Sequence, residues 1–424
     1  ITDHLEKTEF VGYDSFDISA NVIAIFEEGE EKTSIKAPGK GIIISNKTSF
    51  YPEGGGEVAD TGFIKSSDGY AKVVDVQKKN DIIFHYVELT EGEINKDTEA
   101  QFVIDIERRL DIQRNHSATH LLDKALKNVL KQDIKQAGSL VDENRLRFDF
   151  TYNKALSQDE LKAIEEEINI KIREQLPVKK EYMDYKKSEE LGAVALFEDK
   201  YKDVVRVVSM GDYSIELCGG CHVNNTAEVL MFKIKSETSA AAGVRRIEAI
   251  TGRAVYEDLI RKETTIKEIA KSLDTKVNTI LSRINSLKSD IDEKDSEIKR
   301  LKSQSNKDVY GELKDKIKNI NGVNLLIAKF DNASIDELRD LENRFKTEYD
   351  NLIIVFATVS DKIVFTVSVD DNLTDKYNAG KIVREIAQIT GGNGGGRKNF
   401  AQAGGTDIDA LAKALNRAYE IIKE

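Results

Sequence analysis

Two short motifs, far apart in the chain, hold three of its five histidines and both of its cysteines. His116 and His120 are four residues apart, so on a helix both rings project from one face. Cys218, Cys221 and His222 form the second motif, with two glycines between the cysteines. Imidazole and thiolate are preferred zinc ligands, and a pair of histidines plus a cysteine and a histidine supplies the four that a tetrahedral ion needs. The two motifs together predict one zinc ion per chain.

Each motif alone has a more ordinary explanation. Two histidines four apart are more often surface or core residues than metal ligands. A Cys-x-x-Cys-His sequence is also the attachment signature of c-type haem, which needs an exported, oxidising setting, and no signal segment is visible. A thioredoxin-like redox pair would begin a helix after a strand, whereas the residues after His222 are typical of a loop. Neither alternative explains the histidine pair, so zinc is favoured.

Length and charge limit the class of protein. At 424 residues the chain is too long for one core, and about 150 residues per domain predicts two or three domains. The net charge of −12 counts mildly against a nucleic-acid binder, although a large acidic protein can carry a basic groove. No apolar run approaches the ~18 residues that span a bilayer, and two cysteines this close favour a reducing compartment, so we expect a cytoplasmic protein without membrane contact.

Hydrophobic periodicity divides the chain into four segments. Residues 1–105 are β-rich, 106–252 mix helices and strands around both motifs, 253–305 are helical and 306–424 form a small α/β domain. The fold class is therefore α+β and multidomain. Helices are predicted at 106–131, 157–173, 334–349, 379–389 and 406–423. Strands are predicted at 146–150, 204–208, 213–217, 228–235, 325–330, 352–359 and 363–369, with Gly138 closing a turn.

The helical segment 253–305 carries a heptad pattern. Its apolar residues step by three and four alternately, with one missed turn at Lys294: Val277, Ile280, Ile284, Leu287, Ile291, Ile298 and Leu301. This predicts a coiled coil or helical hairpin, although a single amphipathic helix packed on a domain fits equally well because only about 3–4 heptads are present. The pattern leaves open a homodimer through this segment or through the C-terminal domain.

Glycine runs and basic residues give weaker signals. Gly54, Gly55 and Gly56 predict a loop, since three glycines forfeit too much backbone entropy inside an element. The run from Gly391 to Arg397, followed by Lys398, suits either a phosphate site or a flexible connector. Arg245 suits the terminal phosphate of a nucleic acid, and the alternative is a surface salt bridge.

Several motifs together closely resemble the editing domains of alanyl-tRNA synthetases, in order and in spacing. They are Thr48–Gly56, Asn115–Leu122, Gln136–Val141, Arg147–Phe150, Cys218–Val223 and Gly243–Ala249. Gly394–Arg397 and Ala401–Gly405 resemble that family's C-terminal domain, which contacts the tRNA body. The resemblance covers nearly the whole chain.

The resemblance implies a fold, a reaction and a set of roles. A β-barrel-like subdomain would precede an α/β zinc editing core, then a coiled-coil linker and a small α/β tRNA-binding domain. The zinc ligands would be His116, His120, Cys218 and His222. Thr48 and Gln136 would line the amino-acid pocket, with Thr48 reading the serine hydroxyl. Gly54, Gly55 and Gly56 would approach the substrate, and Arg245, Arg397 and Lys398 would contact tRNA.

The implied function is removal of serine wrongly attached to alanine tRNA, by hydrolysis of the aminoacyl ester; glycine removal stays open. Nothing in the chain resembles the ATP-dependent aminoacylation domain, so it would be a piece of a synthetase or a free-standing editing protein. The family commonly has glutamine in place of Glu57 and threonine in place of Cys221, so an extra thiolate could compete for zinc. A non-catalytic tRNA-binding module and a threonyl-type editing domain are the alternatives.

Overall fold

The computed structural model describes residues 5–194 and 203–424, with the backbone alone for 302–308. The predicted β-rich segment and the predicted core therefore extend partly outside the described residues, at 1–4 and 195–202. The chain divides into two compact units, Ile1–Ile269 and Ala270–Glu424, which are described separately. Among the residues described, no helix is both long enough and apolar enough to cross a membrane.

The first unit begins with a closed antiparallel barrel, as the resemblance implied. In order along the chain the strands of this region are β1 (Glu9–Phe10), β2 (Asp17–Glu27), β3 (Glu30–Lys32), β4 (Ser34–Lys36), β5 (Gly39–Ser45), β6 (Lys47–Thr48), β7 (Gly62–Lys65), β8 (Gly69–Lys79), β9 (Ile82–Asn95) and β10 (Glu99–Ile104). Strands β1 and β6 form a separate parallel pair. Neighbouring strands run β10-β7-β8-β9-β5-β2, and β10 pairs back with β2 to close the ring. Its interior is filled by alternate apolar residues such as Val22, Ile64, Val73 and Phe102, as expected for a small barrel.

A mixed α/β core follows. Its elements are α1 (Ile106–Leu130), β11 (Gln136–Val141), β12 (Leu146–Thr151), α2 (Gln158–Arg173), β13 (Val178–Asp184), α3 (Tyr185–Glu190), β14 (Val204–Met210), β15 (Ser214–Leu217), β16 (Phe232–Ala241) and β17 (Val244–Thr251). One antiparallel sheet has the order β11-β12-β17-β16, and a second has the order β13-β14-β15. A single apolar cluster joins α1 and α2 to these strands.

Two details of this core differ from the sequence predictions. The strand predicted at 228–235 begins only at Phe232, because a 3-10 turn at Thr226–Val229 and Leu230, which has a positive φ, precede it. Gly138 closes no turn; it lies inside β11, at a shift in the pairing register with β12. A glycine inside a strand often marks such an irregularity.

Helices occupy the segment with the heptad pattern. α4 (Gly252–Ser272) is followed by a 3-10 turn at Val277–Thr279 and by α5 (Ile280–Lys314). Apolar heptad residues on this stretch are exposed, with Ile291 at 59% and Leu301 at 51%. The coiled coil itself stays a prediction.

The second unit is a six-stranded sheet with helices on both faces. After α5 come β18 (Lys318–Ile320), β19 (Val323–Asp331), α6 (Ile335–Glu348), β20 (Leu352–Val359), β21 (Ile363–Val369), α7 (Ala379–Ile389), β22 (Asn393–Gly396), β23 (Phe400–Gly405) and α8 (Leu411–Lys423). The strand order is β18-β19-β20-β21-β23-β22, with β19 and β20 parallel. Alternate residues of β20 face two separate apolar clusters, one with α6 and one with α7 and α8.

Most of the glycine run in this unit lies in a strand and not in a flexible connector; phosphate binding by this segment stays a prediction. Gly394, Gly395 and Gly396 lie in β22, which pairs with β23. A Cβ at Gly396 would crowd Ala401 of β23, and one on Gly380 of α7 would come within 3.0 Å of the Gly396 carbonyl. The glycines therefore allow a close approach of the strand to its neighbours.

Candidate metal centre

Helix α1 places the first two ligands. Asp105 caps the helix by accepting the Arg108 amide N–H at 3.1 Å. His116 and His120 then project from one buried face, with ring centroids 5.4 Å apart. The spacing of four residues brings the two rings together, as the sequence predicted.

The other two ligands come from the loop that follows β15. Cys218 Sγ lies 3.4 Å from Nε2 of His116 and 3.3 Å from Nε2 of His222. One donor atom from each of His116, His120, Cys218 and His222 lies within 4.8 Å of all the others. This is a compact set of three imidazoles and a thiol, the chemistry that zinc prefers.

Each histidine has a polar neighbour on the side away from the cluster. Nδ1 of His116 lies 2.5 Å from Glu57 Oε2, and Nδ1 of His222 lies 3.1 Å from the Ser117 hydroxyl. Nδ1 of His120 is 3.1 Å from a carboxylate oxygen of Glu216, off the line of a hydrogen bond. When Nδ1 of a ring donates to such a neighbour, Nε2 is left as the metal-binding atom, and its orientation is fixed.

The two glycines of the metal loop have different surroundings. A Cβ on Gly220 would overlap the His116 ring and the Glu57 carboxylate, whereas a Cβ on Gly219 would meet nothing within 4 Å. Gly220 is therefore required for the close approach of the loop to α1. Neither glycine has a positive φ, so the requirement is for space, not for an unusual backbone conformation.

The electrostatics of the cluster suit a cation. Burial opposes the Cys218 thiolate, yet His116, His222 and His120 hold the pKa of the thiol well below its ordinary value. Burial likewise opposes charge on His116, but the Cys218 thiolate and Glu57 raise its pKa to about 10. Burial and the charge on His116 keep the pKa of His222 well below its usual range. Metal loading would therefore use the Cys218 thiolate and release the proton held by His116, because imidazoles that bind a metal are neutral.

The second cysteine lies outside the ligand set. Burial and the neighbouring Glu57 raise the pKa of the Cys221 thiol well above its ordinary value. Its amide N–H donates to Glu57 Oε2 at 2.8 Å. Cys221 is therefore placed as a protonated thiol behind the cluster, which favours Cys218 as the ligand.

A cavity of about 450 Å³ opens beside the cluster. Its walls include His116, His120, Cys218, Gly54, Gly55, Gln136, Ser139, Arg206, Glu216 and Asp123. The Gly54–Glu57 turn is closed by two backbone hydrogen bonds of 3.1 and 3.0 Å, with Gly55 and Gly56 at positive φ. This turn both borders the cavity and delivers Glu57 to His116.

Other predicted site residues lie elsewhere. Thr48 is absent from the described residues that line the cavity; its buried hydroxyl is 2.7 Å from His85 Nε2. Gly56 packs against Ser139. Arg245 forms an ion pair with Glu237 at 2.5 Å. In the second unit, Arg397 and Lys398 lie in the turn between β22 and β23.

Three residues next to the cluster went unassigned in the sequence analysis. The sequence did single out Glu57, because the family that the chain resembles commonly has glutamine at this position. Ser117 lies inside the Asn115–Leu122 motif, and Glu216 lies two residues before Cys218, but neither residue type is unusual at such a place. Their roles depend on contacts made only in the folded chain.

Comparison with family models gives three matches. The model described as tRNA synthetases class II (A) matches residues 1–108. The threonyl and alanyl tRNA synthetase second additional domain matches residues 205–248, which include Cys218 and His222. The DHHA1 domain matches residues 322–424, most of the second unit.

Whole-chain relatives agree with these matches. The alanine–tRNA ligase of Clostridioides difficile (strain 630) is 42% identical over 430 residues, which cover 99% of this chain and 49% of that protein. That of Bacillus cereus (strain ATCC 14579) is 40% identical over 419 residues, covering 98% and 48%. This chain spans about half the length of the curated relatives it matches. Among solved structures, the C-Ala domain from Aquifex aeolicus alanyl-tRNA synthetase is 30% identical, with a TM-score of 0.25, covering 26% of this chain and 99% of that one.

Proposed function

This chain is built from domains of the alanyl-tRNA synthetase family, and on that premise we propose that it hydrolyses the ester joining serine to the terminal ribose of alanine tRNA. The observation that carries the proposal is the cavity itself. Three of the four metal-site residues line it, together with Gln136 and the Gly54–Gly55 backbone. A reactive group, a polar side chain and exposed backbone thus converge on one cavity of the size of a small-molecule site.

The need for such a reaction is physical. A synthetic pocket shaped for alanine cannot strongly reject serine, because discrimination against an added hydroxyl reaches only about 100-fold. A second site that bonds the hydroxyl discriminates better, since alanine leaves that bond unmade. Gln136 is the predicted pocket residue that borders the cavity, and its Nε2 donates to Ser139 Oγ at 3.1 Å. Thr48 stays a prediction as the hydroxyl reader.

In this proposal His116, His120, Cys218 and His222 hold zinc. Bound there, the ion would supply Lewis-acid chemistry to an ester or a water when a coordination position is open, and otherwise would organise the site. The chain's own groups orient the ligands: Glu57 accepts from His116, and Ser117 lies against His222. Asp123 and Glu216 on the cavity wall suit the α-ammonium group of an esterified amino acid.

A second candidate is a zinc-stabilised tRNA-binding module without hydrolysis. It is favoured by the number of ligands, because four protein ligands close a tetrahedral zinc site. A threonyl-type editing activity is the related alternative, since the matching domain description covers both synthetases. Binding of alanine tRNA, and a homodimer through the heptad segment or the C-terminal domain, belong to the proposal as well.

The test is a deacylation assay on the zinc-loaded chain with serine-charged and alanine-charged alanine tRNA. Cys218→Ala and Cys221→Ala form a matched pair, with zinc counted by elemental analysis. We expect release of serine alone, lost with the zinc in Cys218→Ala and retained in Cys221→Ala.

Three outcomes would contradict parts of this proposal. If serine stays attached while one zinc is bound, hydrolysis is contradicted and the non-hydrolytic tRNA-binding module is favoured. Faster release from serine-charged threonine tRNA would favour the threonyl-type activity. Zinc loss in Cys221→Ala would overturn the ligand assignment.

A further inference from the structure

Arg206, on β14, combines burial, a position on the cavity wall and an unused donor. It is only 8% exposed and lines the cavity. Its Nη1 donates to the carbonyl of Cys218 at 2.8 Å and of Gly220 at 2.9 Å. Its Nη2 is buried and has no hydrogen-bond partner among the described residues. A buried charged donor without a partner is costly.

The guanidinium is held in place on its other side. It stacks on the Tyr13 ring, 4.0 Å from the ring centroid, and the Tyr13 hydroxyl donates to the Gly219 carbonyl at 2.5 Å. Tyr13 and Arg206 together therefore bond three successive carbonyls of the metal loop. One edge of a planar, fixed guanidinium supports the loop, which leaves the other edge to bind something else.

Charge limits what this partner is. Arg206 is the sole lysine or arginine among the described residues that line the cavity, whose walls also carry the carboxyl groups of Asp123 and Glu216. Those carboxyls suit a cation and exclude a loose anion from their side of the cavity. A partner of Nη2 must be an oxygen that accepts a charge-assisted hydrogen bond, and guanidinium groups bind phosphate oxygens well.

We propose that Arg206 binds an acceptor oxygen of the substrate, with its Nη2 as donor, while its Nη1 supports the metal loop. The inference rests on the proposed function, because an aminoacyl-tRNA end has two oxygens of this chemistry near the reacting bond. One is the phosphate that joins the terminal nucleotide. The other is the ester carbonyl, on which negative charge develops during hydrolysis.

The test uses two non-hydrolysable probes. Each is 3′-deoxy-3′-(serylamino)adenosine, an amide in place of the ester, one with and one without a 5′-phosphate. Calorimetry gives Kd for the zinc-loaded wild type, Arg206→Gln and Tyr13→Phe. Tyr13→Phe removes one bond to the loop and leaves the guanidinium, so it reports loop support alone.

We expect Arg206→Gln to weaken binding of the phosphorylated probe by about tenfold or more. Tyr13→Phe should keep the wild-type ratio of the two probes' Kd values. A loss confined to the phosphorylated probe identifies the phosphate as the partner, and an equal loss on both probes identifies the carbonyl oxygen. Unchanged affinity for both probes in Arg206→Gln overturns the proposal. So does a loss that follows only the zinc content and is reproduced by Tyr13→Phe.

Two further results keep the outcomes separate. If Arg206→Gln does not fold, Arg206→Lys replaces it, because lysine keeps the charge but lacks the planar fork with which arginine bonds the loop on one edge and leaves the other edge to the substrate. The same criteria then apply. A wild-type chain that binds neither probe and releases no serine contradicts the proposed function, whereas an active wild type with an equally active Arg206→Gln contradicts this inference alone.

Discussion

The two glycines between Cys218 and Cys221 give a sharp test of the metal loop. Gly220→Ala places a Cβ against His116 and Glu57, while Gly219→Ala places one in open space. We expect Gly220→Ala to displace the loop and to weaken zinc binding by at least about tenfold, since a ligand and its supporting partner both move. Gly219→Ala should bind as the wild type does. The measurement is zinc affinity by chelator competition, and equal affinities in the two variants would contradict this account.

Glu57 supports the cluster from outside the ligand set. Its Oε2 accepts from His116 Nδ1 at 2.5 Å and from the Cys221 amide at 2.8 Å. Glu57→Gln keeps an acceptor but removes the charge, so we expect zinc affinity to fall by about tenfold. This is the low end of the loss found when a residue that hydrogen-bonds to a metal ligand is replaced. Glu53→Gln, an exposed change in the same loop, is the control. If the two variants hold zinc equally well, the Glu57 charge does not stabilise the site.

The grouping of the four candidate ligands was predictable from sequence, and the residues that support them were not. His116, His120, Cys218 and His222 belong to rare residue types in short motifs, which limits the alternatives. Glu57 is an ordinary glutamate whose contact with His116 spans 59 residues. Contacts of that separation follow from how the barrel and α1 pack, and no local pattern records them.

Among the elements, regular periodicity gave accurate bounds for several helices and strands, but α8 begins at Leu411, five residues after the start of the helix predicted at 406–423. Helix α7 and strands β20 and β21 have the predicted bounds, and α1 differs by one residue at its end. Strands β22 and β23 were missed because Gly394–Gly396 carries no apolar alternation. Its strand conformation comes from pairing with β23 and from the packing of α7, both of which are tertiary effects that override weak local preference.

The capping box of α2 tests a local contribution to stability. Ser157 accepts from the Glu160 amide at 3.2 Å, and the Glu160 carboxylate accepts from the Ser157 amide at 2.7 Å. We expect Ser157→Ala to lower the free energy of unfolding of the first unit by about 1 kcal/mol, and Ser157→Asp to keep most of it. Urea denaturation followed by circular dichroism measures both. Equal losses in the two variants would show that the cap is not the cause.

Glu342, on α6, predicts a pH dependence of the second unit. Burial raises its pKa above the ordinary 4.5, outweighing the hydrogen bond with Thr366 and the charges of Lys346 and Arg339. When the pKa of an acid is higher in the folded state than in the unfolded state, stability falls as the pH rises from about 4.5, the ordinary pKa, through the raised folded pKa. Glu342→Gln should therefore raise stability at pH 8 by on the order of 1 kcal/mol and leave it little changed at pH 4.

The control for this prediction is Asp340→Asn, an exposed carboxyl on the same helix. Thermal unfolding at pH 4, 6 and 8 compares both variants with the wild type. If Asp340→Asn raises stability at pH 8 as much as Glu342→Gln does, the effect comes from net charge and not from the buried carboxyl.

At the scale of the molecule, the chain has several cores. The first unit contains the barrel cluster and the cluster around α1, and the second contains the two clusters on either face of its sheet. Four of the seven apolar heptad residues, Val277, Ile291, Ile298 and Leu301, are exposed, which is unfavourable for an isolated helix in water. The predicted coiled coil would supply a partner that covers them, either from the same chain or from a second copy.

Separate cores predict separate unfolding. All four proposed metal ligands lie in the first unit, Ile1–Ile269, so an ion bound there would stabilise that unit by mass action and leave the second unit unaffected. We expect two calorimetric transitions for the zinc-loaded chain. A chelator should lower the Tm of one by several degrees and leave the other in place, and Cys218→Ala should reproduce that shift without chelator. Glu342→Gln, a change in the second unit, should move only the other transition. A single transition that moves as a whole in all three cases would show that the units unfold as one cooperative structure.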